Sequence, residues 1–246
     1  NPLTLPENHH MAKKFLTIDN FIGTYGYSKQ WMNAMLKDSP DDEIELRISS
    51  LGGSVDHAIA IHDALATHGS VTAVLSGMVA SSATILALGA KKTLMSDNSM
   101  YLIHKAMKWV DIFDTLNEDD LDSLISRLEK DKEDVAKTTL VIARIYATKS
   151  GKPVRDILDL MKQQTWLSAQ EAKDWGFVDE TFTPGKTAAF QLDRSIVAMI
   201  QANGYPIPPQ PEIQSPVSAV DEDSLFAKLF SKLSAALKPR QTSMKK

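Results

Sequence analysis

Two adjacent serines, Ser81 and Ser82, interrupt the apolar small-residue stretch "SGMVASSATILALGA" (76–90), and His104 closes the apolar run "SMYLIH" further along. A serine hydroxyl becomes a nucleophile when a base removes its proton, and imidazole, with an ordinary pKa near 6.5, is the usual base. Gly52 and Gly53 in "SLGGS" add a third element. Without Cβ atoms, their amides can approach a developing oxyanion closely. Each feature alone has a plainer reading: a hydroxyl at a helix start is a cap, a Gly-Gly is a tight turn, and a histidine ending a strand is a satisfied core residue. Together they allow acyl transfer through a serine.

The remaining histidines fit this chemistry less well. His57, His62 and His68 share the helix-like stretch "SVDHAIAIHDALATHG" and lack the i, i+4 spacing of a helical metal pair, so they are read as helix-face residues. His9 and His10 fall in "NPLTLPENHH", a proline-containing leader without periodicity, and carry no functional weight.

The reactive groups need a scaffold that delivers them to one place. From Lys14 onward, strand-like segments ("KFLTID", "EIELRIS", "VTAVLSG") alternate with helix-like ones ("SKQWMNAMLKD", "SVDHAIAIHDALATHG"), and "KTLMSD" and "SMYLIH" add two short strands. This alternation predicts βα units and a largely parallel sheet. Sites in such sheets form at the carboxyl ends of the strands, which is where "SLGGS", "MVASSA" and His104 fall. A long helix is expected from "NEDD" near Asn117, where a capping side chain and acids meet the positive end of the dipole, to a glycine stop at Gly151. Its second half is apolar on more than one face and is expected to pack on something besides its own sheet, such as another subunit. A short helix, "VRDILDLMKQQ", follows Pro153, and in "TWLSAQEAKDWGFVDE" Ser168 and Glu171 have capping-box spacing.

Three blocks in order, "ISSLGGSVDHAIAIHDAL", "GMVASSATILALGAKKTLMSDNSMYLIH" and "WLSAQEAKDWGFVDE", resemble the ClpP-like serine peptidases, particularly the phage and prophage head-maturation proteases. The resemblance covers roughly residues 15–180. It implies an α/β fold, the spiral of ββα units shared with the crotonases, with a long ring-contact helix. It also implies a homo-oligomeric ring and peptide-bond hydrolysis through an acyl-enzyme. Carried onto this sequence, the nucleophile falls on Ser81 and the base on His104, while the oxyanion amides fall on Gly53 and Ser82. Two positions depart from the family pattern. Leu51 replaces a proline before the glycines, and Gln164 stands at the third catalytic position, where the family places an acid. A glutamine carbonyl can fix the imidazole tautomer but does not stabilise imidazolium as a carboxylate does. Asp159 is a displaced alternative.

The resulting expectation is a serine endopeptidase, ATP-independent or ATPase-assisted, with phage capsid or scaffold protein as polypeptide substrate and a bacterial cytoplasmic setting. The alternative is a catalytically weak assembly component that binds a partner through its C-terminal segment, and Gln164 is its best support. A crotonase-type acyl-CoA enzyme is disfavoured because no acid stands beside the oxyanion glycines. A Ser-Lys peptidase is disfavoured because Lys91, Lys92 and Lys105 read as exposed charges, whereas a lysine base must be desolvated.

Composition narrows the remaining classes. The chain has 246 residues, no cysteine and a formal net charge of -4, which excludes disulfides and thiolate metal sites and argues against nucleic acid as the main partner. No apolar run is long enough to span a bilayer, and no metal or organic cofactor is implied. The domain plan is a leader (1–13), a peptidase domain (14–183), an extension with the proline-rich linker "GYPIPPQPEIQSP" (184–220), an amphipathic helix (221–238) and a basic tail (239–246). On that helix Leu225, Phe226, Leu229, Phe230, Leu233 and Leu237 share one side, and few basic residues line the other, so partner docking ranks above a membrane.

Overall fold

The computed structural model describes residues 13–112, 114–185 and 194–209. The leader to residue 12, the remainder of the linker, the 221–238 helix and the 239–246 tail lie outside the described residues.

The expected alternation is present in β1 (Lys13–Ile18), α1 (Lys29–Lys37), β2 (Glu43–Ile48), α2 (Val55–His68) and β3 (Val71–Leu75). Serines start both helices: Ser28 accepts from the Trp31 amide and Ser54 from the His57 amide. Gly69, in the left-handed region at φ 74°, ends α2. The chain continues through β4 (Met78–Ala80), α3 (Ser82–Ala87), β5 (Lys92–Ser96), β6 (Met100–Leu102), α4 (Glu118–Ser150), α5 (Val154–Gln163), β7 (Trp166–Ser168), α6 (Ala169–Asp174), β8 (Glu180–Phe182) and α7 (Arg194–Ala202).

Strands divide between two sheets. A five-stranded parallel sheet runs β1-β2-β3-β5-β8, and a three-stranded sheet runs β4-β6-β7, parallel between β4 and β6 and antiparallel between β6 and β7. Successive strands therefore switch sheets: β3 leads to β4 and then α3, and β5 leads to β6 and then α4. This is the expected ββα winding. The sheet switch matters for chemistry because it brings the carboxyl ends of β4 and β6 side by side, with Ala80 opposite Leu102.

The parallel strands bury Ile44, Leu46, Ile48, Val71, Ala73 and Leu75, and Ile61 and Leu65 of α2 join the same core. Removing one large side chain of this kind from water stabilises by about 1.5–3 kcal/mol. A second feature ties the long helix to the small sheet. Phe177 stacks on Tyr101 of β6 at 5.8 Å and meets Tyr146 of α4 edge-on at 5.3 Å. The Tyr146 hydroxyl bonds to the Thr84 hydroxyl on α3, and Thr84 in turn donates to the Ser81 carbonyl at 2.6 Å. The segments after β4 and β6 are thus braced by one aromatic cluster.

Helix α4 spans 33 residues, with Asn117 and Asp120 forming a reciprocal capping box and Gly151 closing it at φ 68°. Its buried residues are Thr139, Ile142, Ala143 and Tyr146, all in its second half. Leu140 and Val141 on the same half remain exposed, as do Leu121 and Ile125 nearer its start.

One region departs from the sequence reading. Residues 194–208, assigned to an extension and linker, instead form α7 and a docked segment ending in Pro208. Ile196 and Ile200 lie one helical turn apart and pack on Met78, Ala80, Leu102 and Trp166, so this face folds back onto the small sheet.

Candidate active site

Ser81 occupies the junction between β4 and α3. Its amide donates to the Leu102 carbonyl at 2.9 Å, continuing the β4–β6 pairing by one residue. Its backbone then turns at φ 58° and ψ −130°, a conformation that costs a non-glycine residue about 1–3 kcal/mol and persists only where surrounding structure imposes it. Ser81 is the N-cap residue by position, yet its side chain makes no capping bond. The hydroxyl therefore sits at a strained strand-to-helix turn without being spent on a cap, a geometry suited to a nucleophile.

The glycine loop meets this turn directly. Gly52 lies at φ 100° and Gly53 at φ 150°, both in the region that favours glycine. A Cβ on Gly52 would stand 2.8 Å from the Ser81 Cβ, 2.8 Å from the Ala80 carbonyl oxygen and 3.0 Å from the Ser82 amide nitrogen. Only a bare Cα fits there. The loop is held from the other side as Ile22 donates to the Gly52 carbonyl and Ser54 donates to the Ile22 carbonyl, at 3.0 and 2.8 Å. Ser82 is fully buried as the first residue of α3, where its amide belongs to the unpaired set at a helix start. Gly52→Ala is expected to displace the loop from the turn, lowering kcat/KM for a peptide by about 100-fold or more, the scale of losing one oxyanion donor. Steady-state kinetics on the folded variant measures this.

His104 follows β6 by two residues and is 8% exposed. Its Nδ1–H donates to the Lys105 carbonyl at 2.6 Å. A carbonyl can only accept, so Nε2 carries the free lone pair. That nitrogen is buried and has no hydrogen-bond partner among the described residues. A buried polar atom left unpaired is unusual and marks a place where a further group is received. Burial holds the imidazole pKa below its ordinary value, while the Lys105 hydrogen bond opposes that shift. The residue is accordingly a neutral base at neutral pH.

The third position takes a different form from the sequence expectation. Nδ1 is held by the Lys105 backbone, and the hydrogen bonds of the described residues include none from His104 to Gln164 or Asp159. Gln164 ends α5 in a left-handed conformation at φ 51°, and Asp159 is exposed on that helix. The other histidines are engaged elsewhere: His57 Nδ1 accepts from the Lys29 amide, His62 Nδ1 lies 2.9 Å from Asp63, and His68 Nε2 donates to the Ser39 carbonyl. Lys105 is exposed, and Lys92 pairs with Glu180.

Sequence reasoning missed Tyr205, which it placed in a proline-rich linker. The ring lies 5.1 Å from the His104 ring, and its hydroxyl donates to the Leu51 carbonyl at 3.3 Å. Burial raises the phenol pKa, and a hydrogen-bonding interaction with the Ser81 side chain works against that rise. The available signal was the apolar pair Ile196 and Ile200 preceding a glycine and an aromatic residue.

Among the described residues no helix is long and apolar enough to cross a membrane. The Clp protease family model matches residues 24–184. The chain is 33% identical over 140 residues to an ATP-dependent Clp protease proteolytic subunit of Streptococcus agalactiae, covering 56% of this chain and 67% of the relative. It is 32% identical over 144 residues to the subunit of the same name from Streptococcus thermophilus, covering 57% and 69%. In fold it is similar to a ClpP1 mutant from Listeria monocytogenes, with a TM-score of 0.56 at 23% identity over 70% of this chain and 92% of the other. With the ββα winding and the serine turn already in place, these matches establish that the chain belongs to the Clp protease family.

Proposed function

We propose that this protein is a serine endopeptidase in which Ser81 attacks the peptide carbonyl and His104 is the general base. The observation that carries this reading is the strained, uncapped Ser81 turn beside a histidine whose Nε2 is buried and unpartnered. His104 Nε2 takes the hydroxyl proton as the Ser81 Oγ–carbon bond forms. The amides of Gly53 and Ser82 hold the negative oxygen of the tetrahedral species. As that species collapses, the C–N bond breaks and imidazolium returns its proton to the leaving amine. Water then attacks the acyl-enzyme by the same path, releasing the acid and Ser81.

The Lys105 carbonyl replaces a carboxylate in orienting the imidazole. It fixes the reactive tautomer without supplying a full negative charge, so imidazolium is stabilised less than in a triad with an acid.

The substrate class is unfolded polypeptide, and the resemblance of the three sequence blocks to phage head-maturation proteases favours capsid or scaffold protein in a bacterial cytoplasm. A homo-oligomeric ring is the assembly, supported by Leu140 and Val141 on α4 and by Met107, Trp109, Val110 and Ile112 after His104, all exposed in the single chain. Digestion of an unfolded protein such as reduced casein, without nucleotide and then with a cognate unfoldase and ATP, tests the activity. Fragments absent from a Ser81→Ala control support it. Identical traces from both proteins under both conditions reject it in favour of a catalytically weak assembly component.

A further inference from the structure

The strongest unexplained feature is the arm formed by residues 194–208, which packs against the strands that carry Ser81 and His104. Helix α7 forms one wall of a cavity of about 400 Å³ beside Gly52, through Ile196, Met199 and Asn203. After α7 the chain reverses at Gly204, φ 69°, as Gly204 donates to the Gln201 carbonyl and Tyr205 to the Ile200 carbonyl, at 2.9 and 3.1 Å. This reversal turns the Tyr205 side chain inward. Only 7% of the residue is exposed, and it packs with Met78, Ala80, Leu102 and Trp166. Its ring stands against His104, and its hydroxyl reaches the carbonyl of Leu51, the residue preceding the two glycines. The tyrosine thus touches the elements that would supply the base and the oxyanion amides.

We propose that residues 194–208 are an internal occupant of the catalytic cleft, with Tyr205 standing where a substrate must enter, so that peptide hydrolysis requires this arm to withdraw. The inference rests on the assignment of Ser81 and His104 above. Its logic is competitive. The Tyr205 ring stands against the imidazole while His104 Nε2 has no hydrogen-bond partner, so the occupied form is one in which the base is not joined to the nucleophile.

The arm is also built to leave. Pro206 and Pro208 have no amide N–H, so this segment lacks two of the donors that an extended strand would offer to a neighbour. After Gly204 the segment is held by the Tyr205 hydroxyl, which donates to the Leu51 carbonyl, and by the Pro206 carbonyl, which accepts from the Trp166 indole at 2.6 Å. An extended peptide substrate carries the amides that the prolines lack, and so can form backbone contacts that the arm cannot.

Two measurements on the full-length protein test the proposal. In the first, an alkyl fluorophosphonate is reacted with wild type, Tyr205→Phe and Tyr205→Ala, and Ser81 labelling is followed by intact mass. A cleft closed nine parts in ten or more reduces apparent reactivity by its open fraction, so Tyr205→Ala is expected to label at least about tenfold faster, with Tyr205→Phe between the two. In the second, hydrogen exchange of wild type is compared before and after labelling, and amides within 194–205 are expected to exchange faster once the phosphonate occupies the cleft. Labelling of Tyr205→Ala at or below the wild-type rate in folded protein, or unchanged exchange across the arm after full labelling, overturns the proposal. Failure of the underlying assignment looks different: the phosphonate then attaches to no protein, or attaches equally well to Ser81→Ala.

Discussion

Ser81→Ala is expected to lower kcat/KM for peptide hydrolysis by on the order of 10⁴-fold or more, with little change in the binding of a substrate-like peptide. Losing a serine nucleophile removes the acyl-enzyme route entirely, and what remains is the modest catalysis available from binding and oxyanion contacts. The substitution is conservative structurally. The hydroxyl makes no capping bond to α3, and the backbone bonds from Ser81 N to Leu102 and from Thr84 to the Ser81 carbonyl survive in alanine. Circular dichroism and oligomer size should therefore match wild type. A variant that loses activity together with its fold would instead point to Ser81 as a structural residue.

His104→Ala is expected to cost a comparable factor, and the double variant with Ser81→Ala to be no worse than either alone, because nucleophile and base act as one unit. The pH profile gives an independent check. His104 must be unprotonated to accept the Ser81 proton, and burial outweighs the Lys105 hydrogen bond in holding its pKa below the ordinary 6.5. The acidic limb of kcat/KM is thus expected below pH 6.5, with activity rising as pH increases through it. Stability carries the same sign. The folded state resists protonation of this imidazole, so its contribution is complete above the unfolded pKa and declines as pH falls below it. An acidic limb above 6.5 would contradict the burial argument, and a limb unaffected by His104→Ala would assign the titration to another group.

Much of this architecture is legible in the sequence because local physics and tertiary packing agree there. The alternation in β1 through β3 and the Asn117 and Gly151 bounds of α4 are set by short-range hydrogen bonding and burial period. The capping box at Ser168 and Glu171 forms as its spacing suggests, with both reciprocal bonds present. The three-residue strands β4 and β7 are harder to see. They are too short to show a period, and they exist because β6 lies between them. The site itself divides in the same way. Ser81, His104 and Gly53 carry chemical signals in their residue types, and the positive φ of Ser81 is imposed by its place between β4 and α3.

The partner of His104 Nδ1 has no residue-type signal at all, since a backbone carbonyl is present at every position. Only the fold after β6 determines that Lys105 supplies it. Tyr205 was hidden for another reason. Its prolines at 206 and 208 read as an extended linker, and nothing local shows that Ile196 and Ile200 fold back onto β4 and β6. The family resemblance could not help, as its match ends at residue 184, before this arm begins.

The most direct measurement is a crystal structure of the protein reacted with a peptide boronate, which forms a tetrahedral adduct on the attacking oxygen. The expected result is boron bonded to Ser81 Oγ, one boronate oxygen about 2.7–3.1 Å from the amides of Gly53 and Ser82, and His104 Nε2 within hydrogen-bonding distance of the adduct. Boron on a different residue, or an adduct on Ser81 whose oxygen faces away from both amides, would contradict the assignment of this site.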